Sequence, residues 1–270
     1  MIGVSIVTYH TSLDELGKCL SCLTSHLISQ IFIVDNGSEQ RIADFVCQYE
    51  NTVYIASENR GYGAGHNIAI RRSIAAGYKY HLVINSDIIF DPEIIDRIAD
   101  FMDSDDTIGQ LHPKMLNPDG SLQYTVRLLP TPFDLFCRRF LPDSWCRMRL
   151  DEYLLKPLSH DEVQDIPYHQ GSFLFFRVDA LKAVGLFDER FFMYPEDIDI
   201  SRRMHKNFKT LYYPFETVTH FHRAESYRNV KLLWIHIVNI FRYFNKWGWF
   251  FDRERDSWNS ILKSRFSDNS

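Results

Sequence analysis

The chain has 270 residues, with 30 Lys and Arg against 35 Asp and Glu and a formal net charge of −5. Apolar residues make up 45% and charged residues 24%, which excludes a disordered, collagen-like or coiled-coil protein. The length suits one large α/β domain, or one domain with an appended piece. Five cysteines are too few for a disulfide framework, so Cys19 and Cys22 are expected to be buried thiols of a reducing compartment.

The N-terminal residues show no pattern of a targeting segment. Residues 1–7 lack a basic stretch and are typical of a strand. The longest apolar run, Leu232 to Phe241, is interrupted by His236 and Asn239 and is too short to span a bilayer. The sequence therefore predicts a cytoplasmic protein.

Short apolar runs alternate with helical patterns over the first 112 residues. Ser12 and Asp91 are the predicted N-caps of two of these helices, with Pro92 at the first helical position. Strands that are continuous apolar runs and alternate with helices predict a mostly parallel sheet covered on both faces. The predicted strands are residues 2–8, 31–34, 53–56 and 81–84, and the predicted helices are residues 12–27, 65–76 and 92–102.

The pattern is less regular in the second half of the chain. Residues 123–167 contain five prolines and no clean period, so we expect an irregular insertion over the sheet. Regular elements then return. The predicted strands are residues 172–177, 210–213 and 217–219, and the predicted helices are residues 178–184 and 197–207.

Polar residues collect where the predicted strands end. Thr8, Asp35, the turn at 58–61 and the segment 85–87 each follow an apolar run. In a parallel α/β sheet, ligands bind beyond the carboxyl ends of the strands. The sequence therefore predicts a cleft at this edge of the sheet.

A glycine-rich turn at residues 59–65 precedes a predicted helix. Its backbone amides can approach a phosphate, and the N-terminus of a helix favours negative charge. The spacing is G-x-G-x-G rather than the dinucleotide pattern, and no P-loop lysine follows. A flexible turn without a ligand is the alternative.

Two groups of side chains have metal-binding or acid–base chemistry. Asp87 can offer a hard oxygen ligand to Mg²⁺ or Mn²⁺, and His220 ends a predicted strand, with His222 two residues later. Asp197 and Glu196 open a helix behind an aromatic run, where apolar walls and a like charge raise a carboxyl pKa toward that of a general base. The alternatives are a loop-capping Asp, a surface His and two acids that complement the helix dipole.

The C-terminal region predicts an amphipathic helix over residues 227–248, followed by the aromatic segment 247–251. Basic residues exceed acidic ones from residue 202 to residue 265, which suggests nucleic acid or a membrane as anionic partner. Basic residues beside Trp and Phe are typical of an interfacial helix, so we expect a membrane surface and no nucleic acid. The alternatives are a solvated basic face and a stripe that packs on the catalytic domain. The predicted apolar stripe is Val230, Leu233, Trp234, Ile237, Phe241 and Phe244, with Arg228, Lys231, Arg242 and Lys246 on other faces.

Seven short motifs in order resemble those of family 2 glycosyltransferases over about residues 1–225. The resemblance is greatest to rhamnosyltransferases that build bacterial O-antigen and related cell-envelope glycans, through the turn at 59–63, residues 127–130 and residues 192–197. The motifs are Val4–Tyr9, Val34–Ser38, Glu58–Asn67, Asn85–Asp87, Gly171–Phe173, Phe187–Asp199 and Val218–His220.

This resemblance implies a GT-A fold and an inverting transfer from a nucleotide-diphosphate sugar, with dTDP-rhamnose favoured and a UDP-hexose as the alternative. The catalytic domain would span residues 1–225, with a nucleotide-binding half at 1–112 and an acceptor half at 113–225. Beyond the resemblance, the composition of residues 226–270 predicts a C-terminal helical segment on the inner face of the cytoplasmic membrane. The implied acceptor is a polyprenyl-diphosphate-linked glycan. The oligomeric state is left open.

The resemblance also implies roles for individual residues. Asp197 would be the general base, with Glu196 beside it. Asp87 would bind a divalent cation, with His220 as second ligand or diphosphate contact. The donor-binding residues would be Thr8 and Asp35 at the base, Asn59, Gly61 and Asn67 along the nucleotide and diphosphate, and Asn85 and Arg127.

Two positions raise questions about the match to the family pattern, and two other function classes are disfavoured by the sequence. Asn85 replaces the first acid of the usual D-x-D motif, and His222 competes with His220 for the histidine position. A nucleotidyltransferase would need a glycine-rich loop directly after the first strand, which residues 8–12 lack. A non-catalytic sugar- or lipid-binding module is disfavoured because Asp87, Asp197 and His220 are all present.

Overall fold

The computed structural model describes residues 1–141, 143–221 and 230–266. The strands are β1 (Ile2–Thr8), β2 (Ile28–Asp35), β3 (Thr52–Ala56), β4 (Tyr80–Ile84), β5 (Ile88–Ile89), β6 (Ile108–Leu116), β7 (Val126–Arg127), β8 (Gln164–Asp165), β9 (Tyr168–His169), β10 (Phe173–Arg177) and β11 (Lys209–His220). The helices are α1 (Leu13–Ser21), α2 (Gln40–Val46), α3 (Tyr62–Ala75), α4 (Ile94–Asp103), α5 (Pro132–Phe140), α6 (Asp143–Tyr153), α7 (Val178–Val184), α8 (Glu196–His205), α9 (Val230–Trp247) and α10 (Arg253–Ser264).

Within the described residues, nine strands form the central sheet, in the order β3-β2-β1-β4-β10-β6-β11-β5 with β8 beside β11. The first four strands along this order are parallel, and β6 and β11 are parallel to each other. Strand β10 lies between these two groups and runs antiparallel to both of its neighbours. The sheet therefore contains two parallel groups, as predicted, joined by an antiparallel β10.

Strand β10 shows why the sheet is covered on both faces. All five of its residues are buried, and successive side chains point to opposite faces. Phe173 and Phe175 pack into the large core cluster with residues of α1 and α4. Leu174 and Phe176 pack on the other face against α7 and α8. The apolar run in the sequence is thus typical of a strand that is buried on both faces of the sheet.

Several predicted boundaries differ from the structure. Helix α1 ends at Ser21 rather than at residue 27, and α3 begins at Tyr62, before the predicted start. Helix α4 begins at Ile94, because Asp91 instead accepts a hydrogen bond from the amide of Glu93 and closes the preceding turn. The two strands expected in 210–219 are the single strand β11, with a register shift between its two halves.

The expected irregular insertion contains two helices. Helix α5 begins with a capping box in which Thr131 and Asp134 exchange hydrogen bonds between side chain and backbone, followed by Pro132 at the helix start. The prolines of this segment thus mark helix boundaries as well as loops. Cys19 and Cys22 are free and buried, as expected.

The C-terminal helices pack on the catalytic domain through a buried ion pair. Both terminal nitrogens of Arg202 donate to the carboxylate of Asp252 at 2.6 Å, and the guanidinium lies 4.1 Å from the ring centre of Trp247. Helix α9 buries Tyr243 and Phe244 against this cluster. The domain boundary predicted at residue 225 therefore separates parts that share one core.

The predicted apolar stripe on α9 is only partly correct. Phe244 is buried, but Trp234 and Phe241 are exposed. Arg242 donates to the backbone carbonyl of Arg190, and Lys246 lies 2.6 Å from Asp199, so both cations contact the catalytic domain. Over the ranges described, no helix has both the length and the apolar character needed to cross a bilayer.

Candidate active site

The structure brings together Asp87 and His220, the two predicted metal ligands. Strand β5 pairs antiparallel with the end of β11, which places Ile88 opposite His220. The amide of Phe221 donates to the backbone carbonyl of Asp87 at 2.9 Å. As a result, Oδ1 of Asp87 lies 3.3 Å from Nε2 of His220.

Gln123 orients the ring of His220 by a hydrogen bond to Nδ1. No local sequence pattern predicted this role. The Gln123 amide nitrogen donates to Oδ1 of Asn117 and to the backbone carbonyl of His220. Its oxygen therefore faces Nδ1 of His220, 3.0 Å away, and accepts a hydrogen bond from that nitrogen. In a neutral His220, Nε2 then presents a lone pair toward the carboxylate of Asp87.

These residues fit a divalent cation. Neighbouring ligands of an octahedral Mg²⁺ or Mn²⁺ with bonds of about 2.1 Å lie about 3.0 Å apart, close to the Asp87–His220 separation. A carboxylate with an imidazole suits Mn²⁺ better than Mg²⁺. In the part of the chain that the structure describes, no group of three or more His, Cys, Asp or Glu side chains could hold a metal. Water and phosphate oxygens would therefore complete the coordination. His222 lies outside the described residues.

The two acids at the start of α8 have different surroundings. Asp197 is half-buried in the wall of a cavity of about 480 Å³, and its carboxylate accepts hydrogen bonds from the amides of Gly171 and Ile198. Glu196 is only 5% exposed and packs near Gly63, with Oε2 buried and without a hydrogen-bond partner. The geometry therefore directs Asp197 into the cavity and Glu196 into the protein.

Burial raises the pKa of Glu196 well above its ordinary value of 4.5, and the negative charge of Asp197 raises it further. Burial also raises the pKa of Asp197, but the amide of Gly171 and the charge of Arg127 oppose this effect. A protonated Glu196 removes the like-charge repulsion from its neighbour. Asp197 is then the acid of the pair that carries the negative charge.

Tyr62 connects the side of the site that contains Asp87 with the side that contains Asp197. Its hydroxyl lies 2.9 Å from Oδ1 of Asn85 and 2.6 Å from the carbonyl oxygen of Gly171, whose amide donates to Asp197. Asn85 thus contacts this hydroxyl through the oxygen that a metal or ribose would use. An aromatic residue inside the glycine-rich turn was the one sequence signal for this bridge.

The glycine-rich turn holds the segment 187–195 against α3. Gly61 has a φ of 107°, and a Cβ there would lie 2.1 Å from the carbonyl oxygen of Phe192. The amide of Tyr62 donates to the same oxygen at 2.9 Å. The side chain of Asn67 is bonded to the backbone of Phe187 and to Glu189. The predicted contacts of Gly61 and Asn67 with the donor stay predictions, because the structure shows both residues positioning this segment.

Thr8 and Asp35 meet at the ends of β1 and β2, as expected from their parallel pairing. Asp35 is fully buried and accepts hydrogen bonds from Thr8, Tyr54 and the amides of Gly37 and Glu39. These bonds fix the turn after β2. Base recognition by Asp35 stays a prediction, since its carboxylate already has four donors.

Arg127 lies in the wall of the same cavity as Asp197. Its guanidinium donates to the carbonyl of Tyr124, the hydroxyl of Tyr168 and the amide oxygen of Gln170. The structure thus associates Arg127 with the candidate base, whereas the sequence grouped it with the donor-binding residues. Asn59 lies exposed at the turn, where its Oδ1 accepts hydrogen bonds from the side chain of Asn36 and the amide of Gly61.

The sequence matches the profile of the family described as "Glycosyltransferase like family 2" over residues 2–242. It is 28% identical to the N-acetylglucosaminyl-diphospho-decaprenol L-rhamnosyltransferase of Mycobacterium tuberculosis H37Rv, over 84% of this chain and 77% of that protein. It is 26% identical to the rhamnosyltransferase WbbL of Escherichia coli K12, over 88% of this chain and 90% of that protein.

Solved structures agree on the fold. A structure of GalNAc-T7 with UDP, GalNAc and Mn²⁺ superposes with a TM-score of 0.60 at 14% identity, over 83% of this chain and 43% of that chain. A structure of residues 1–349 of S. aureus TarS gives a TM-score of 0.54 at 16% identity, over 82% of this chain and 60% of that chain. These likenesses confirm the predicted GT-A fold.

Replacing Glu196 by Gln should flatten the pH dependence of stability. Because the folded-state pKa of Glu196 is raised above 4.5, the folded protein binds more protons than the unfolded chain above that pH. The free energy of unfolding of the native protein should therefore fall as pH rises, by up to about 1.4 kcal/mol per pH unit in this window. Urea titrations at pH 5 and pH 8 would measure the difference, with the exposed Glu50→Gln as control. Equal pH dependence in Glu196→Gln and the native protein would contradict a protonated Glu196.

Proposed function

The chain belongs to glycosyltransferase family 2, and from this we propose that the enzyme transfers L-rhamnose from dTDP-rhamnose to a hydroxyl of a polyprenyl-diphosphate-linked glycan. The transfer inverts the anomeric carbon and serves cell-envelope polysaccharide synthesis, such as that of O-antigen. Support for rhamnose comes from the two relatives named for rhamnosyl transfer. A UDP-hexose donor is the alternative.

The observation that carries the proposal is the position of Asp197. This acid lies in the wall of a cavity and is linked through Gly171 and Tyr62 to Asn85, on the Asp87 side of the site. Asp197 takes the proton of the acceptor hydroxyl as the oxygen forms a bond to the anomeric carbon. The bond from that carbon to the diphosphate breaks in the same step, which inverts the configuration. Burial raises the pKa of Asp197, and the amide of Gly171 and the charge of Arg127 act against this effect and so favour the ionised form that the role needs.

Asp87 and His220 hold a divalent cation in this proposal. The cation supplies positive charge that stabilises the departing diphosphate. Gln123 accepts a hydrogen bond from Nδ1 of His220, so that Nε2 of a neutral His220 would carry the lone pair that binds the cation. Asn85 lies beside this pair and is held by Tyr62, so its neutral amide takes the place of the first acid in the family's usual motif.

Asp197→Asn should abolish transfer, because an amide cannot take the acceptor proton. The expected loss in kcat is about 10²- to 10⁴-fold. Donor binding should be retained, measured as the thermal shift with dTDP-rhamnose and compared with UDP-sugars and GDP-sugars. Glu196→Gln is the matched control, since the adjacent buried acid is already protonated and should keep most of the transfer rate. Full turnover by Asp197→Asn would exclude it as the base.

Chelation should remove activity, and Mn²⁺ should restore it better than Mg²⁺. Asp87→Asn should weaken the Mn²⁺-dependent thermal shift with dTDP at least about tenfold in apparent affinity, since one of two protein ligands is lost. Asp91→Asn is the control, because this exposed acid lies four residues along the chain, on the other side of β5. Undiminished turnover in excess chelator would show that protein side chains, rather than a cation, stabilise the diphosphate.

We further propose that the enzyme lies on the inner face of the cytoplasmic membrane, where lipid-linked acceptors are found. Phe250 and Phe251 are 76% and 94% exposed after α9, and the exposed Arg253 follows them. This composition favours a lipid interface. Trp247, Arg242 and Lys246, which the sequence assigned to the interface, instead bond to the catalytic domain, so the proposal rests on the two phenylalanines.

Co-sedimentation with vesicles tests this surface. The native protein should bind vesicles that contain anionic lipid and should be released by salt, because salt screens the attraction of cations to the surface. The double variant Phe250→Ser, Phe251→Ser should bind at least about tenfold more weakly. Phe215→Ser, an exposed phenylalanine on β11, is the control. Failure of the native protein to bind anionic vesicles at low salt would exclude membrane attachment by this segment.

A further inference from the structure

An apolar groove of about 380 Å³ lies between α5 and α9. Phe133 and Phe136 of α5 line it together with Ile237 and Phe241 of α9. Trp249 and Phe250, which follow α9, complete the lining. Of the described residues in this lining, His236 has the one ionisable side chain.

The aromatic walls of the groove are open to solvent. Phe133, Phe136 and Phe241 are 51%, 48% and 53% exposed. Contiguous apolar surface of this kind is unfavourable in water and marks binding sites in soluble proteins. The exposure therefore indicates a ligand with an apolar surface of its own.

The groove adjoins the cavity that has Asp197 in its wall. Leu135, His236 and Ile240 line both spaces. At this junction the ring of His236 stacks on that of Tyr194, with 5.0 Å between the centroids, three residues before Asp197. A molecule that spans both spaces therefore has a polar part at the candidate base and an apolar part in the groove.

We infer that the groove binds the first isoprene units of the acceptor's lipid chain, while the glycan lies in the cavity. The identity of the ligand rests on the proposed function. The shared lining of the two spaces favours a substrate over a protein partner, because a partner bound outside has no need to reach Asp197. A bilayer would contact the protruding Phe250 and Phe251 without filling the groove. The relative named for a decaprenol-linked acceptor is consistent with this chemistry.

The groove makes chain length a determinant of affinity. Each buried methylene-sized group is expected to tighten binding about fourfold. The enzyme would thus recognise the lipid itself as well as the sugar that it glycosylates. Acceptors with the same headgroup and a longer chain should bind more tightly until the groove is filled.

Calorimetric titration with farnesyl diphosphate, below its critical micelle concentration, tests the inference. Inorganic diphosphate serves as the ligand without a chain. The native protein should bind farnesyl diphosphate at least about tenfold more tightly than inorganic diphosphate. Phe241→Ser and Phe136→Ser, on opposite walls, should each remove most of this difference. Phe215→Ser should preserve it, and melting temperatures would establish that each variant is folded.

Three results would overturn the inference. One is equal affinity of the native protein for the two ligands. Another is unchanged farnesyl diphosphate affinity in both wall variants, and the third is a loss of vesicle binding alone in those variants, which would identify the groove as a bilayer contact. The probe carries no sugar and no transfer is measured. Failure of this titration is therefore distinct from failure of rhamnosyl transfer, and either can occur without the other.

Discussion

The position of the candidate base depends on how segment 187–195 is held between α3 and α9. On one side, Asn67 bonds to the backbone of Phe187, and the missing side chain of Gly61 lets Phe192 approach α3. On the other side, Asn239 donates to the carbonyl of Met193, and Lys246 pairs with Asp188. Asp197 follows directly. Helix α9 therefore helps to position the candidate base.

Electrostatics then gives two neighbouring carboxyl groups different states. Glu196 is buried with an oxygen that has no hydrogen-bond partner, which favours its neutral form. Asp197 has two amide donors and the charge of Arg127 nearby, which favour its ionised form. On the far side of Tyr62, the carboxylate of Asp87 faces a ring nitrogen of His220. In the proposed transfer from a diphosphate to a hydroxyl, Asp197 would accept the proton at one end of the site. Asp87 and His220 would hold positive charge at the other end.

The site also changes character along its length. Polar groups line the cavity around Asp197, whereas aromatic and aliphatic side chains of α5 and α9 line the space beyond His236. An amphiphilic acceptor matches this gradient better than a free sugar does. The segment that the sequence treated as an irregular insertion supplies one wall, and the segment treated as a separate membrane helix supplies the other. The proposed acceptor site therefore lies between two regions that are distant in sequence.

The sequence by itself predicted strands β1 to β4, β10 and β11, the polar residues at strand ends and the acid at the start of α8, because these are local patterns of hydrophobic period and strand termination. It did not determine the antiparallel direction of β10, the role of Gln123 or the packed face of α9. Gln123 meets His220 across 97 residues, a contact that no local period encodes. Helix α9 has apolar residues on several faces, so periodicity alone favoured a stripe that includes the exposed Trp234 and Phe241. Tertiary contacts select the face that packs, among them the buried pair of Arg202 with Asp252 and the bonds of Trp247 and Lys246 to Asp199, since buried charges and polar groups must find partners.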